Sequence, residues 1–372
     1  MTALTGRPTT TLAALPATGP AGPPTAAPAS PRATVPAMES QVQLDRNEAL
    51  RGPPPGAVER LRAAIARGHL YPHEAVGRAV AAAAAHLGVD RAQAILTNGV
   101  DEAVDLCILE LGDPLTVTPG FDGYGDRAAA LNHRAQPFAL TETNELPREL
   151  LDAAWNGRLV LVASPNNPTA NAFAAPSLLT LLHRGAHLML DETYADFCAH
   201  APGLRWLAEH PRLLVFRSLS KAYGLAGLRI GCLVGHEQLI ARLRARQAYL
   251  TTCGLAAEAL VGALESDPEY PRRHAREVCA LRAELVPRLR ATGAFARVYD
   301  SETNFVFARC ASPAAAEAIR TALAVRAGVA VASTAPLGEP AGLRIGVSLP
   351  ADADRVVAGL TAIGAMEEAE RR

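Results

Sequence analysis

Residues 218–231 of the 372-residue chain read SLSKAYGLAGLRIG. This stretch contains Lys221, which is the only lysine among the 36 basic residues of the chain; all the others are arginines. Arginine stays protonated at any accessible pH, whereas a desolvated lysine can lose its proton. A position that keeps lysine where every other basic residue is arginine therefore indicates a nucleophilic amine, of the kind that forms a Schiff base with a carbonyl group.

The composition is typical of a soluble globular protein, with 49% hydrophobic residues, 20% charged residues and a net charge of −1. Because the sequence has no basic stripe, neither nucleic acid nor an anionic membrane is expected as a partner. The six cysteines are widely spaced and lack the Cys and His spacing of zinc sites, so no metal is expected. Free thiols and the lack of an apolar run of about 20 residues predict a cytoplasmic protein.

The chain is predicted to have four parts. Residues 1–39 hold eight of the 28 prolines and no acidic residue before Glu39, which predicts a disordered tail. Residues 40–74 are predicted to be an N-terminal segment that joins the smaller domain and contributes to a dimer site. Residues 75–265 form the predicted large domain, and residues 266–372 form a smaller α+β domain.

Short apolar strands alternate with helical patterns in the large domain. They are predicted at residues 94–97, 115–117, 159–162, 187–190, 213–216 and 230–234. Continuous apolar strands separated by helices predict an α/β fold, with a mostly parallel sheet covered on both faces. The smaller domain has predicted helices at 277–290 and 317–325 and predicted strands at 305–308 and 343–347.

Polar residues follow several of these strands, where open α/β sheets bind their ligands. Residues 98–101 (Asn-Gly-Val-Asp) open a helix whose N-terminus favours a phosphate. Asn167 lies in a proline-rich loop as a fixed hydrogen-bond donor, and Asp191 either caps a helix or pairs with a cationic ring nitrogen. Arg229 adds positive potential near Lys221, which favours the neutral amine. A lysine, a carboxylate and a phosphate site are together what pyridoxal phosphate (PLP) requires.

These motifs resemble those of the fold-type I PLP enzymes in the class I/II aminotransferase superfamily, and most of all the histidinol-phosphate aminotransferase group. The resemblance extends from about residue 42 to 360. Residues 164–169 resemble that group's N-P-N-N-P-T-G loop, residues 191–197 its D-E-x-Y-x-x-F, and residues 217–231 its R-[ST]-L-S-K-x-x-G-L-A-G-L-R-x-G. The resemblance implies a mostly parallel seven-stranded sheet in the large domain, pyridoxal 5'-phosphate as cofactor, and a homodimer with shared active sites.

The resemblance also implies roles for the matched residues. Lys221 would form the internal aldimine with PLP and then carry a proton during catalysis. Asp191 would keep the pyridine nitrogen protonated, while Asn167 and Tyr194 would bond to the ring oxygen O3′. Arg344 would bind the substrate carboxylate, with Asn167 and Tyr124 beside it. The other implied cofactor contacts are the stacking ring of Phe121, the phosphate ligands Val100, Asp101, Ser218, Ser220 and Arg229, and Tyr71, which would reach the cofactor phosphate of the neighbouring subunit.

Two departures from the family pattern bear on the substrate. Family members usually carry an arginine about a dozen residues before the carboxylate arginine, and this arginine binds the substrate phosphate. Residues 328–334 (GVAVAST) contain none, and residues 46–50 lack the usual N-E-N-P-Y/F-G segment at the substrate mouth. We therefore expect an aminotransferase that acts on an unphosphorylated amino acid and a 2-keto acid, with non-proteinogenic amino acids of specialised metabolism among the candidates.

Three alternatives stay open at this point. The first is histidinol-phosphate aminotransferase of histidine biosynthesis, with a different phosphate anchor. The second is a PLP-dependent decarboxylase, lyase or cyclase, because one fold supports several reactions. The third, from another class, is a catalytically inactive sensor-like domain, although the intact Lys221 argues against it.

Overall fold

The computed structural model describes residues 41–337 and 341–370. The predicted tail at residues 1–39 lies outside this range. Ser40–Arg372 forms one compact unit, so the predicted domain boundaries near residues 74 and 265 stay predictions.

The described residues contain thirteen strands and twelve α-helices. The strands are β1 (Val42–Gln43), β2 (Ala94–Thr97), β3 (Leu115–Thr118), β4 (Gln136–Ala139), β5 (Leu159–Ala163), β6 (His187–Asp191), β7 (Leu213–Ser218), β8 (Gly231–Gly235), β9 (Arg297–Val298), β10 (Phe305–Arg309), β11 (Val329–Ala330), β12 (Ala332–Ser333) and β13 (Gly342–Gly346). The helices are α1 (Pro55–Ile65), α2 (His73–Leu87), α3 (Gly99–Leu111), α4 (Gly123–Ala130), α5 (Arg148–Asp152), α6 (Ala175–His183), α7 (Gly203–Trp206), α8 (Glu237–Arg246), α9 (Gly254–Ser266), α10 (Tyr270–Ala291), α11 (Pro313–Ala322) and α12 (Pro350–Glu370). None of these described helices combines the length and apolar character needed to span a membrane.

Seven strands form the main sheet, in the order β2-β8-β7-β6-β5-β3-β4. The neighbours from β7 to β4 are parallel, and β8 runs antiparallel to both β7 and β2. The predicted mostly parallel seven-stranded sheet is therefore confirmed. Each of the six predicted strands is present, with boundaries within two residues of the prediction.

The main sheet is covered on both faces, which is why its strands read as continuous apolar runs. In β6, Leu188 and Leu190 enter one hydrophobic core while Met189 enters the core on the opposite face. In β5, Leu161 and Val162 are divided between the two cores in the same way. Helices on both faces thus fix the sheet and place its carboxyl edge.

The seventh strand, β4, was not predicted from the sequence. It contains Pro137, lies at the edge of the sheet and is largely exposed. Proline is tolerated at an edge because no second neighbour needs its missing N–H group. An exposed strand with a proline lacks the apolar run that identifies the other six.

A second, antiparallel sheet lies in the C-terminal part, in the order β12-β13-β10-β9. The N-terminal segment contributes β1, which pairs in parallel with β11, and Leu44, which is buried in the C-terminal core. Helix α1 packs instead against α9. Helix α10 begins seven residues before the predicted start at 277, and α11 ends before a π-helical turn at Leu323–Ala327.

Candidate active site

The carboxyl ends of three central parallel strands, β5, β6 and β7, meet at a cavity of about 220 Å³. The last residues of these strands, Ala163, Asp191 and Ser218, all line it. Open α/β sheets bind ligands at this edge. Eleven of the thirteen predicted site residues line the cavity, namely Val100, Asp101, Phe121, Asn167, Asp191, Tyr194, Ser218, Ser220, Lys221, Arg229 and Arg344.

Lys221 follows β7 and reaches the cavity as a half-buried side chain. Its Nζ donates a hydrogen bond to the carbonyl oxygen of Arg46 at 3.1 Å. Burial, and then the positive charges of Arg344 and Arg229, lower the pKa of Lys221 to about 8. The neutral amine is therefore accessible near neutral pH, which a lysine nucleophile requires.

Asp191 ends β6 with only 4% of its surface exposed. Its Oδ1 accepts hydrogen bonds from the backbone N–H and hydroxyl of Thr193, at 2.9 and 2.6 Å, and its Oδ2 accepts one from Tyr124 at 2.8 Å. Burial raises the pKa of Asp191, while the bonds from Thr193 and Tyr124 oppose that rise. A fixed carboxylate at the cavity wall can pair with a protonated ring nitrogen.

Tyr124 has a different partner from the predicted one. It was expected to contact the substrate, but it is 3% exposed, is absent from the cavity lining and donates its hydroxyl to Asp191. Its position at the start of α4 turns the ring against the sheet, where it packs edge-on to Phe121 with a centroid distance of 5.3 Å. Tyr124 therefore binds Asp191 without lining the cavity, whereas Phe121 lines it.

One end of the cavity suits a phosphate. Helix α3 begins at Gly99 (φ 70°), and a Cβ atom there would lie 2.5 Å from Nη2 of Arg229. Glycine thus leaves the space that the Arg229 guanidinium occupies beside the helix N-terminus. The hydroxyl groups of Ser218 and Ser220 line the same cavity. Helix N–H groups, hydroxyls and a guanidinium are donors that bind phosphate, so this end fits the phosphate of PLP.

Arg344, in β13, bonds at the cavity to the loop after β5 and to the N-terminal segment. Its Nη1 donates to Oδ1 of Asn167 at 2.7 Å, and its Nη2 donates to the carbonyl oxygen of Asp45 at 2.5 Å. The guanidinium lies 5.5 Å from the centroid of the Phe305 ring. A planar guanidinium held in this way can bind a carboxylate with two parallel hydrogen bonds.

Tyr194 presents its hydroxyl from a buried ring. Burial raises the pKa of Tyr194, while the charge of Arg344 and a hydrogen bond from Asn47 lower it. The donor is Nδ2 of Asn47, at 3.0 Å. The phenol therefore stays protonated at neutral pH and can still donate its own hydrogen.

Tyr71 lies away from this cavity. It is 82% exposed and lines a separate cavity of about 790 Å³, together with His73. The ring centroids of His73 and Tyr249, which is also exposed, are 6.0 Å apart. Within a single chain, Tyr71 therefore does not reach the predicted cofactor site.

Sequence reasoning placed residues 46–50 at the substrate mouth but missed the hydrogen bonds that residues 45–47 make with site residues. Asn304, which directly precedes β10, donates to the carbonyl oxygen of Asn47 at 3.0 Å. Asn47 in turn contacts Tyr194, which lies 147 residues away in the chain. No local pattern signals such a contact, because both partners come from distant segments.

Glu192, which follows Asp191 in the chain, lies in a buried ion pair. Its carboxylate is fully buried, accepts a hydrogen bond from the backbone of Gly203 at 2.8 Å and pairs with Arg217 at 3.4 Å. It is not among the residues that line the cavity. The two adjacent carboxylates therefore lie in different environments: Asp191 lines the cavity, and Glu192 pairs with Arg217 outside it.

Comparison with known proteins gives one family. The sequence profile of aminotransferase class I and II matches residues 39–360. Histidinol-phosphate aminotransferase 2 of Ralstonia nicotianae is 34% identical over 348 residues, which are 88% of this chain and 90% of that protein. Other proteins named histidinol-phosphate aminotransferase match at 30–33% identity, and the chain spans 65–71% of their length.

Solved structures give the same fold. A provisionally named aminotransferase from Burkholderia pseudomallei has a TM-score of 0.78 at 32% identity, over 88% of this chain and 99% of that one. The histidinol-phosphate aminotransferase of Sinorhizobium meliloti, solved in complex with pyridoxal-5'-phosphate, has a TM-score of 0.77 at 24% identity, over 87% and 90% of the two chains. The second likeness, at its lower identity, concerns the fold alone.

Proposed function

Because this chain belongs to the class I and II aminotransferases, which are PLP-dependent enzymes, we propose that it transfers an amino group between an amine substrate and a 2-keto acid. The observation that carries this proposal is the convergence of Lys221, Asp191 and Arg344 on one cavity with a phosphate-binding end. The bound cofactor supplies an electron sink for breaking a bond at the substrate Cα. Amine transfer needs, in addition, a lysine that exchanges protons and a cation that orients the substrate.

Each of these groups has a distinct task in the proposal. Lys221, with its lowered pKa, accepts and returns a proton at Nζ near neutral pH. Asp191, held by Tyr124 and Thr193, would pair with the ring nitrogen of the cofactor and keep it protonated. Arg344, which its bonds to Asn167 and to the carbonyl oxygen of Asp45 hold at the cavity, orients the anionic group of the substrate, whether a carboxylate or a phosphate.

The first candidate substrate is histidinol phosphate. It is supported by the names of relatives that are 30–34% identical, one of them matched over nearly its whole length. Histidinol phosphate has no carboxylate and carries a phosphate ester in its place, so Arg344 would face that phosphate. Residues 328–334 offer no second arginine for it. Arg46 is the candidate for a second cation, because it lines the cavity with 72% of its side chain exposed and its pair with Asp45 is long, at 3.8 Å. This candidate is better supported by the comparisons than the unphosphorylated substrate expected from the sequence.

The second candidate is an unphosphorylated amino acid, and one structural observation favours it. A chamber of about 280 Å³ adjoins the site through Asn167 and Arg344. Its wall includes Asp122, Ser333 and Thr334, and Arg344 is the one cation among its described lining residues. The carboxylate of Asp122 disfavours a phosphate there, because like charges repel each other.

Half-reactions of the PLP-loaded enzyme test these proposals. Histidinol phosphate, histidinol, L-histidine and L-glutamate are mixed with it one at a time, and the change in cofactor absorbance is followed. A preference of at least about 100-fold for histidinol phosphate over histidinol supports the first candidate, since a charged partner contributes about 2–5 kcal/mol. Comparable rates support the second candidate. If no amine in a broad panel converts the cofactor, transamination is the wrong reaction.

The anchor itself is tested by Arg46→Ala. If Arg46 binds the substrate phosphate, this variant loses the preference for histidinol phosphate over histidinol and keeps its rate with L-glutamate. The matched control is Arg62→Ala, which removes an arginine from α1 that does not line the cavity. An unchanged preference in Arg46→Ala would exclude Arg46 as the anchor.

We also propose that the enzyme is a homodimer with shared sites. The support is a group of exposed large apolar side chains around the 790 Å³ cavity and near it, namely Ile65, Leu70, Tyr71 and Tyr249, which are 59–83% exposed. A patch of this kind marks an association surface. Light scattering should give twice the mass of the 39.0 kDa chain. Tyr71→Ala should weaken PLP binding, whereas a monomeric and fully active enzyme would contradict the proposal.

A further inference from the structure

Residues 45–47 each make a hydrogen bond with a residue that lines the cavity, and Arg46 and Asn47 line it themselves. The first two residues place their carbonyl oxygens on Arg344 and Lys221, at 2.5 and 3.1 Å. The third, Asn47, uses its side chain and donates to the hydroxyl of Tyr194 at 3.0 Å. Within this segment, only Asn47 makes its contact through a side chain. That contact is therefore the one that a substitution in the segment can remove.

Asn47 is held in one conformation. Its backbone has φ 53°, in the left-handed region that asparagine tolerates better than most residues, and it is 3% exposed. The buried amide of Asn304 donates to its carbonyl oxygen at 3.0 Å and fixes the backbone from the side of the C-terminal sheet. The Asn47 side chain is thus aimed at Tyr194 by contacts that do not depend on a ligand.

The direction of this hydrogen bond determines where the hydrogen of the phenol can point. A tyrosine hydroxyl donates one hydrogen bond and accepts others. Since Asn47 donates to the oxygen, the hydrogen of Tyr194 is left for another acceptor. The Tyr194 ring packs edge-on against Phe305, with centroids 5.2 Å apart, so rotation about the C–O bond is its main remaining freedom. Tyr194 itself lines the cavity.

We propose that Asn47 is a positioning residue, which donates to Tyr194 and thereby directs the phenol hydrogen to the ring oxygen of PLP bound in the cavity. This inference rests on the proposed function, because it requires PLP at this site. The same bond also opposes the rise in the pKa of Tyr194 that burial causes. Asn47 touches Tyr194 and acts through it.

The decisive variants are Asn47→Gly, Tyr194→Phe and the double variant. Glycine adopts φ 53° without strain, so Asn47→Gly removes the amide and keeps the backbone. The readouts are PLP affinity and the pKa obtained by titrating the visible absorbance of the PLP-loaded enzyme. A hydrogen bond from Tyr194 favours the deprotonated chromophore, so weakening that bond raises this pKa.

We expect Asn47→Gly to raise this pKa by about 0.5–1 unit and to weaken PLP binding about fivefold, the usual effect of one hydrogen bond. Tyr194→Phe should shift the pKa in the same direction by at least as much. The double variant should match Tyr194→Phe alone, because Asn47 has no effect without the hydroxyl. Asn144→Gly is the matched control, since Asn144 is also buried with φ 63° and lies outside the cavity lining. The chromophore of this variant should titrate with the same pKa as that of the unaltered enzyme.

Asn47→Asp provides a second test if the glycine variant fails to fold. An ionised aspartate only accepts hydrogen bonds and competes for the phenol hydrogen, so the pKa should rise further. An unchanged pKa in either folded variant would overturn the proposal, as would full additivity with Tyr194→Phe. If the unaltered enzyme takes up no PLP, the proposed function fails before this inference is reached, so the two failures are distinguishable.

Discussion

Tyr124 donates its hydroxyl to Oδ2 of Asp191 at 2.8 Å, and of the two residues only Asp191 lines the cavity. With Thr193 on Oδ1, both oxygens of this buried carboxylate are held. Burial alone raises the pKa of Asp191, and these donors oppose the rise because they stabilise the charged form. The charge of this carboxylate at the cavity wall thus depends on a residue that does not line the cavity.

Tyr124→Phe should therefore impair the enzyme on the acidic side. Loss of the donor raises the pKa of Asp191 further, so the acid limb of the kcat/KM profile should move to higher pH by up to about one unit, the worth of one such bond. The matched control is Tyr223→Phe, whose buried hydroxyl bonds to His86 at 2.7 Å and lies outside the cavity lining. An unshifted acid limb in Tyr124→Phe would show that Asp191 does not depend on this bond.

The free lysine should titrate within the working range of the enzyme. Since the pKa of Lys221 is lowered to about 8, the neutral amine increases as the pH rises through that value. The rate at which apoenzyme captures PLP should therefore increase from pH 7 to pH 9. Arg344→Gln removes a positive charge that lowers this pKa, so the rise should move to higher pH. A capture rate that stays constant over this range would contradict the assigned pKa.

Arg344→Lys should weaken substrate binding even though it conserves the charge. Lysine cannot reproduce the planar fork that already donates to Asn167 and Asp45. We expect kcat/KM for a carboxylate substrate to fall by about 10–100-fold, mainly through KM, because charge-assisted bonds contribute about 1.5–3 kcal/mol. Arg246→Lys, at an exposed pair with Glu110, is the control and should leave both constants unchanged. Equal kinetics in both variants would remove Arg344 from the substrate site.

Glu258 should contribute to stability more than an exposed carboxylate does. Its side chain, 6% exposed, binds Arg60 at 3.0 Å, Arg67 at 3.3 Å and Arg78 at 2.5 Å. Glu258→Gln should lower the free energy of unfolding by about 2 kcal/mol, below the 3–5 kcal/mol of fully buried pairs because the arginines are partly exposed. The control Glu265→Gln, at an exposed pair, should cost less than about 1 kcal/mol. Denaturant unfolding of the two variants should separate them, and equal losses would contradict this ranking.

The fold was predictable where burial leaves a continuous apolar signal. Strands such as β5 and β6 are covered on both faces, so their sequences alone identified them within one residue. Strand β4 was missed because its exposure and Pro137 remove that signal. The start of α10 was missed because its first turn begins with Tyr270-Pro271, and proline is as typical of a break as of a helix start.

The cavity was predictable to the extent that its residues follow strands. Asp191, Ser218 and Lys221 lie in one short region of the sheet edge, so their proximity follows from the parallel topology. The contacts of Tyr124 and Asn47 could not be derived in this way. Each depends on how a side chain points after distant segments have packed, which neither periodicity nor spacing specifies.

The central claim is that Lys221 is the residue that binds PLP covalently, and one measurement tests it directly. The PLP-loaded enzyme is reduced with borohydride, digested, and its peptides are weighed by mass spectrometry. Because the chain has a single lysine, a cofactor-derived mass should appear on the peptide that contains Lys221 and should be absent from Lys221→Arg. A labelled Lys221→Arg variant, or a reduced enzyme whose Lys221 peptide carries no added mass, would contradict the account.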